Sequence, residues 1–137
     1  MPVSLITPDI IPTIWGGFLV QIEKALALGV GDHYSAEYYY QEVISGRMQM
    51  WAYHDDGLIA IGIISVIDYP KHKTVFIELL AGEKLDEWLG IVEPLLQEYA
   101  RQIGATTIEA SCRPGLVKKL TTWRPIATIM RLDNGRK

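Results

Sequence analysis

Cysteine is almost missing from these 137 residues: Cys112 is the only one, which excludes an internal disulfide framework and any cysteine-rich zinc site. The three histidines, His33, His54 and His72, fall in expected loops and turns without metal-ligand spacing, so no metal is expected. Long apolar runs are also lacking. The longest, Leu58 to Ile67, is broken by Gly62 and Ser65 and falls short of the 18 or so residues that a spanning helix needs. The first eight residues have no basic stretch followed by an apolar block, so no secretory leader is expected. Positive charge is scarce as well, with 13 Lys and Arg against 16 Asp and Glu, a net charge of −3. That balance excludes bulk electrostatic binding to nucleic acid or to an anionic membrane. A cytoplasmic protein is the expectation.

What is present suits one globular domain over residues 1–137. Hydrophobic residues make up 49% and charged residues 21%, far from disordered or fibrous compositions. Residues 1–11 read as an extended lead-in because Pro2, Pro8 and Pro12 punctuate them. From Thr13, the spacing of Ile14, Phe18, Ile22, Ala25 and Leu26 predicts a helix of about four turns, ended by Gly29. Ser35 can cap a second, short helix that Gly46 stops. Strands are expected at Met48–Tyr53, Leu58–Ile67 and Thr74–Ala81, joined by Asp55-Asp56-Gly57 and Tyr69-Pro70-Lys71-His72-Lys73 as turns. Leu85, Trp88, Leu89, Val92, Leu96, Tyr99 and Ile103 trace a helical stripe that Gly104 terminates. Pro94 inside it predicts a bend or a later start. A strand at Thr106–Ala110, a helix at Pro114–Thr122 and a last strand at Ile126–Leu132 complete the order α-α-β-β-β-α-β-α-β, with 133–137 fraying.

That order, with Leu85–Ile103 between two strands, resembles the GNAT superfamily of acetyltransferases. The stretch from Ile91 to Ala110, containing Ala100-Arg101-Gln102-Ile103-Gly104, is similar to the superfamily's long helix, its Ala-Arg-x-x-Gly exit and the strand that follows. More narrowly, Trp51-Ala52-Tyr53, Asp56-Gly57, Tyr69-Pro70 and Glu109 to Leu116 resemble small GNAT-like proteins of tailed bacteriophages and prophages. Two departures are Cys112 in place of a glycine before Arg113 and Leu116 in place of a tryptophan. The resemblance covers roughly residues 12 to 132. It implies an α+β fold with a mostly antiparallel twisted sheet flanked by helices. It also implies acetyl-CoA as acyl donor and an amine, on a small molecule or a protein, as acceptor.

The resemblance also nominates residues. Glu78 falls on the strand that carries the base for the accepting amine in several members; the plainer alternative has it facing solvent on a half-exposed strand. Leu80, Gly82 and Trp88 are the implied cofactor contacts. The loop Ala81 to Trp88, which by resemblance would hold the pyrophosphate, has one glycine and one lysine. Its carboxylates Glu83, Asp86 and Glu87 suit a helix N-terminus but would repel a pyrophosphate. Tyr34, Tyr38, Tyr39 and Tyr40 bracket the loop that borders the acceptor site by resemblance. They either stack on a substrate or partner, or pack partly on the core. Arg113, with Lys118 and Lys119, is the clustered positive charge, suited to an anionic ligand or simply solvated. No tyrosine lies between Arg113 and Leu132 to serve as an acid toward the leaving thiolate.

Two readings therefore stand side by side. One is an acetyl-CoA-dependent N-acetyltransferase with a degenerate phosphate loop. The other is a non-catalytic GNAT-like module, virion-associated or directed at a phage or host protein. Ile126–Leu132 could serve as an edge strand pairing across a homodimer.

Overall fold

The computed structural model describes residues 3–28, 33–54, 56–83, 85–111 and 121–135. Its elements run β1 (Val3–Ile6), α1 (Ile11–Leu28), α2 (Ala36–Ile44), β2 (Gln49–His54), β3 (Leu58–Asp68), β4 (Lys73–Gly82), α3 (Leu85–Ile103) and β5 (Thr107–Ala110). The strands form one sheet in the order β1-β2-β3-β4-β5, antiparallel throughout except for the parallel β4–β5 pair. The mixed, mostly antiparallel architecture expected from the sequence is thus observed.

Two cores cover the two faces of the sheet. On one face, Ile11, Trp15, Phe18 and Ile22 of α1 and Tyr39 and Val43 of α2 pack on Met50, Ala52, Ile61, Ile63, Leu79 and Ala81. The α1 residues recur at intervals of three and four, which places them on one stripe of the helix. On the other face, Trp88, Val92, Leu96 and Ala100 of α3 pack on Tyr53, Ala60, Ile64, Val75 and Ile77. Burial on both sides explains why β3 is apolar almost end to end.

Local signals place the elements. Ser35 caps α2, its hydroxyl accepting from the Tyr38 backbone N–H at 3.1 Å. Gly104, at φ +78°, ends α3: its N–H donates to Arg101 O and that of Ala105 to Ala100 O, a Schellman arrangement. The ammonium of Lys73 donates to Ile103 O at 3.2 Å, and the hydroxyls of Thr74 and Thr107 meet at 2.7 Å, fixing β5 beside β4.

Four expectations need correction or qualification. The lead-in contains β1, a strand held by its ladder to β2 rather than by its own four residues. Helix α1 begins at Ile11, so Pro12 lies in its first turn, where a missing N–H costs nothing. Helix α3 begins at Leu85 and runs through Pro94. The carbonyl deprived of its donor by Pro94 is that of Gly90, and both residues are exposed, so water can satisfy it. Residues 126–132 form no strand: they pair with none of β1 to β5, and Ile126, Ile129, Met130 and Leu132 are exposed. The helix expected at Pro114–Thr122 falls almost wholly outside the described residues, as do Cys112, Arg113, Lys118 and Lys119. No described helix is long and apolar enough to cross a membrane.

Candidate functional site

The central feature is a bulge in β4. Ile63 of β3 opposes Leu79 and Ile64 opposes Ile77, so Glu78 is the extra residue with no counterpart on β3. An inserted residue of this kind breaks the alternation of the strand and re-aims a side chain. Val75 and Ile77 lie against α3, whereas Glu78 and Leu79 both face α1 and α2: Leu79 belongs to that core and Glu78 meets Tyr39. A carboxylate in a strand flanked by Ile77 and Leu79 is thereby brought beneath α2.

Two hydroxyls orient Glu78. Ser65 of β3 donates to Oε2 at 2.6 Å, and Tyr39 donates to Oε1 at 3.5 Å. The first is a short O–H···O bond; the second sits at the outer limit of hydrogen bonding, which leaves Oε1 the more available oxygen. Tyr39 is 2% exposed. Burial pushes its hydroxyl far above the ordinary tyrosine range, with the nearby Glu78 carboxylate and then Tyr34 and Tyr38 adding to the rise. It is therefore a permanent donor at neutral pH.

Tyr34 and Tyr38 roof this pair. Their rings stack at 4.9 Å and 21°, and they lie 5.6 and 5.2 Å from the ring of Tyr39. Both are exposed. Burial raises the Tyr38 hydroxyl as well, followed by Glu42, Tyr34 and Glu78, while Arg47 works in the opposite sense. Tyr40 turns away to pack on Trp15 at 5.2 Å. Of the four neighbouring tyrosines, Tyr39 meets Glu78, Tyr34 and Tyr38 pack on Tyr39, and Tyr40 belongs to the core. Ser65 and the bulge went unread in the sequence. Ser65 did leave a signal, being the one hydroxyl inside the apolar run from Leu58 to Ile67.

On the α3 side, β5 accompanies β4 only from Thr74 to Ile77. Beyond that point, residues 78–82 keep β3 on one side and have no strand on the other among the described residues. Leu80 and Trp88 line a cavity of about 10 Å³ together with Trp51, Gly62 and Ile77. Trp88 is buried, and the indole N–H groups of Trp51 and Trp88 have no acceptor among the described residues. Gly82 has its own structural reason: at φ +123°, a Cβ there would run into Ile59 O and Ala60 of β3. Glu83 is exposed and its N–H donates to Ile59 O. Lys84 and the side chains of Asp86 and Glu87, invoked above for the phosphate loop, lie outside the described residues, and so does Arg113. Among the described residues, no group of three or more His, Cys, Asp or Glu could hold a metal.

No family model matches the chain, and no curated protein matches it in sequence. Solved structures do match it in fold. A probable acetyltransferase superposes with a TM-score of 0.71 at 10% identity, over 100% of both chains. The ribosomal-protein-alanine N-acetyltransferase of Brucella melitensis biovar Abortus 2308 gives 0.68 at 10% identity, over 95% of this chain and 97% of the other. The aminoglycoside acetyltransferase HMB0005 from an uncultured soil metagenomic sample gives 0.66 at 14%, over 98% and 97%. At such identities the likeness establishes a shared fold. The fold is that of GNAT acetyltransferases.

Proposed function

We propose that the protein is an N-acetyltransferase that moves an acetyl group from acetyl-CoA to an amine in the cytoplasm. One observation carries this reading: the β4 bulge that presents Glu78, held by Ser65 and Tyr39, at the point where β4 and β5 part company. The residues present suit such a donor. Among the described residues, residues 78–82 have no strand on the side away from β3, which offers backbone donors and acceptors, and the indole N–H groups of Trp51 and Trp88 have no acceptor.

Acetyl-CoA would supply the activated thioester. The chain's own residues would prepare the nucleophile. Glu78 takes a proton from the substrate ammonium at Oε1, the less committed oxygen, leaving a neutral amine with a free lone pair. Ser65 holds Oε2 so that the carboxylate keeps one orientation during that transfer. Tyr39 stays protonated, so its hydroxyl remains a donor toward Oε1.

A second reading, a non-catalytic binding module acting on a phage or host protein, draws on the small size of the cavity at Leu80 and Trp88, about 10 Å³. That volume holds a single water. A thermal melt with and without millimolar acetyl-CoA separates the two. Ligand at 100 times its dissociation constant adds about 2.7 kcal/mol, which raises the midpoint of a domain this size by about 5–15 °C. A rise accompanied by thiol release on adding amines supports the enzyme; no rise and no release overturns it in favour of the module.

A further inference from the structure

The roof of the Glu78 site has a chemistry of its own, apart from the transfer step. Tyr34 and Tyr38 are 46% and 38% exposed, and as a stacked pair they present aromatic surface beside Tyr39, whose hydroxyl meets the Glu78 carboxylate. The electron-rich faces of phenol rings attract organic cations, and they do so most strongly where water is partly excluded. Helix α2, which carries both Tyr38 and Tyr39, holds Glu37 and Glu42 and no lysine or arginine. Glu42 and Glu78 both lie within electrostatic reach of the Tyr38 hydroxyl. Two cations beside this surface, among the described residues, are engaged in contacts of their own: Arg47 binds Glu42 at 2.7 Å, and Arg131 meets His33 at 3.4 Å. His33 in turn stands edge-on to Tyr34, 6.1 Å away. A guanidinium of the chain itself thus lies at the rim of the same aromatic group.

We infer that the acceptor is an aliphatic amine with a second positive charge and no carboxylate, bound with one ammonium directed at Glu78 and its body against the Tyr34–Tyr38 stack. The inference rests on the N-acetyltransferase reading for the word acceptor; the recognition itself does not require it. A carboxylate on the ligand would approach Glu78, whose charge already acts on the Tyr38 hydroxyl, and like charges at such separations repel. A neutral ligand of the same length would gain aromatic contact but lose both the cation–π attraction and the pairing with Glu78.

Three four-carbon probes test this: 1,4-diaminobutane, 4-aminobutanoate and butane-1,4-diol. Their binding to the full chain is measured by titration calorimetry, with and without coenzyme A, separately from any acetyl transfer. The diamine is expected to bind at least tenfold more tightly than 4-aminobutanoate, and the diol to give no heat. Tyr38→Leu is expected to weaken diamine binding by about 3- to 30-fold, while Tyr38→Phe, which keeps the ring, stays within about twofold of the parent. Circular dichroism and melting confirm that each variant is folded. Equal affinity for the diamine and 4-aminobutanoate, or a Tyr38→Leu variant that binds as the parent does, overturns the inference. Diamine binding without any acetyl transfer would remove the enzyme reading and leave the cation site standing. Transfer that proceeds equally well to 4-aminobutanoate would do the reverse.

Discussion

Ser65 Oγ stands 2.6 Å from Glu78 Oε2, a contact between neighbouring strands made at the point where Glu78 is the extra residue of the β4 bulge. In the proposed reaction the pair separates two functions of one side chain, orientation at Oε2 and proton transfer at Oε1. Glu78→Gln keeps the shape and removes the base, so kcat is expected to fall by about 10²- to 10⁴-fold in a coupled thiol-release assay. Ser65→Ala leaves the base in place but frees its orientation, and a smaller loss, about tenfold, is expected in kcat with little change in KM. Equal losses for the two variants would mean that Glu78 serves only to hold the strands together.

Tyr39 ties the site to the stability of the fold. Its folded-state hydroxyl is raised far above the unfolded value of about 10, first by burial and then by the Glu78 charge. For a group shifted upward, the stabilisation is complete below the unfolded value and is lost as pH climbs from there toward the folded one. Stability should therefore be flat with respect to Tyr39 below pH 10 and fall above it by about 1.4 kcal/mol per pH unit. Denaturant melts between pH 8 and 11 check this, alongside tyrosinate absorbance. Tyr39 should resist ionisation until the protein unfolds. In Tyr39→Phe its share of both signatures should vanish.

The helices and the three central strands are legible in spacing alone, because each buries a regular stripe or lies between turn signals such as Asp56-Gly57. Helix α3 is the clearest case, with its apolar stripe closed by Gly104. Strand β1 is not legible, since four residues between prolines have no periodicity to show and depend on Met50 to Tyr53 for pairing. Ile126–Leu132 misleads for the same reason in reverse: β propensity without a partner strand makes no strand. Glu78 is nominated by resemblance, but its geometry is not legible, because a bulge depends on register with β3 and register is not written in one strand. The tyrosines Tyr34 and Tyr38 could be named from sequence. That Tyr40 belongs instead with Trp15 follows from the turn of α2, which only the packed structure shows.

Gly62 and Trp88 make the next test. A Cβ on Gly62 would collide with the far edge of the Trp88 ring and crowd Leu80. Gly62→Ala is therefore expected to destabilise the fold by about 1–3 kcal/mol through overpacking. Adding Trp88→Phe, which shortens the side chain, should recover part of that loss although it is destabilising in the parent. The double-mutant cycle reads the coupling directly, and additive effects would mean that the two residues do not share the space.

The last prediction concerns the cap of α2. Ser35 Oγ accepts from the N–H of Tyr38, so one bond fixes both the start of the helix and the residue that roofs Glu78. Ser35→Ala removes the acceptor and should cost about 0.5–2 kcal/mol, while Ser35→Asp, another good cap, should leave stability close to the parent. If the cap also sets the roof, Ser35→Ala will raise KM for the amine more than it lowers kcat, because the aromatic pair loosens while Glu78 stays pinned by Ser65. A helix that merely frays at its end would lower stability and leave the ratio of the two constants untouched. The direction of that split, measured below the melting transition, decides whether α2 is only a cover for the sheet or the part of the fold that selects the substrate.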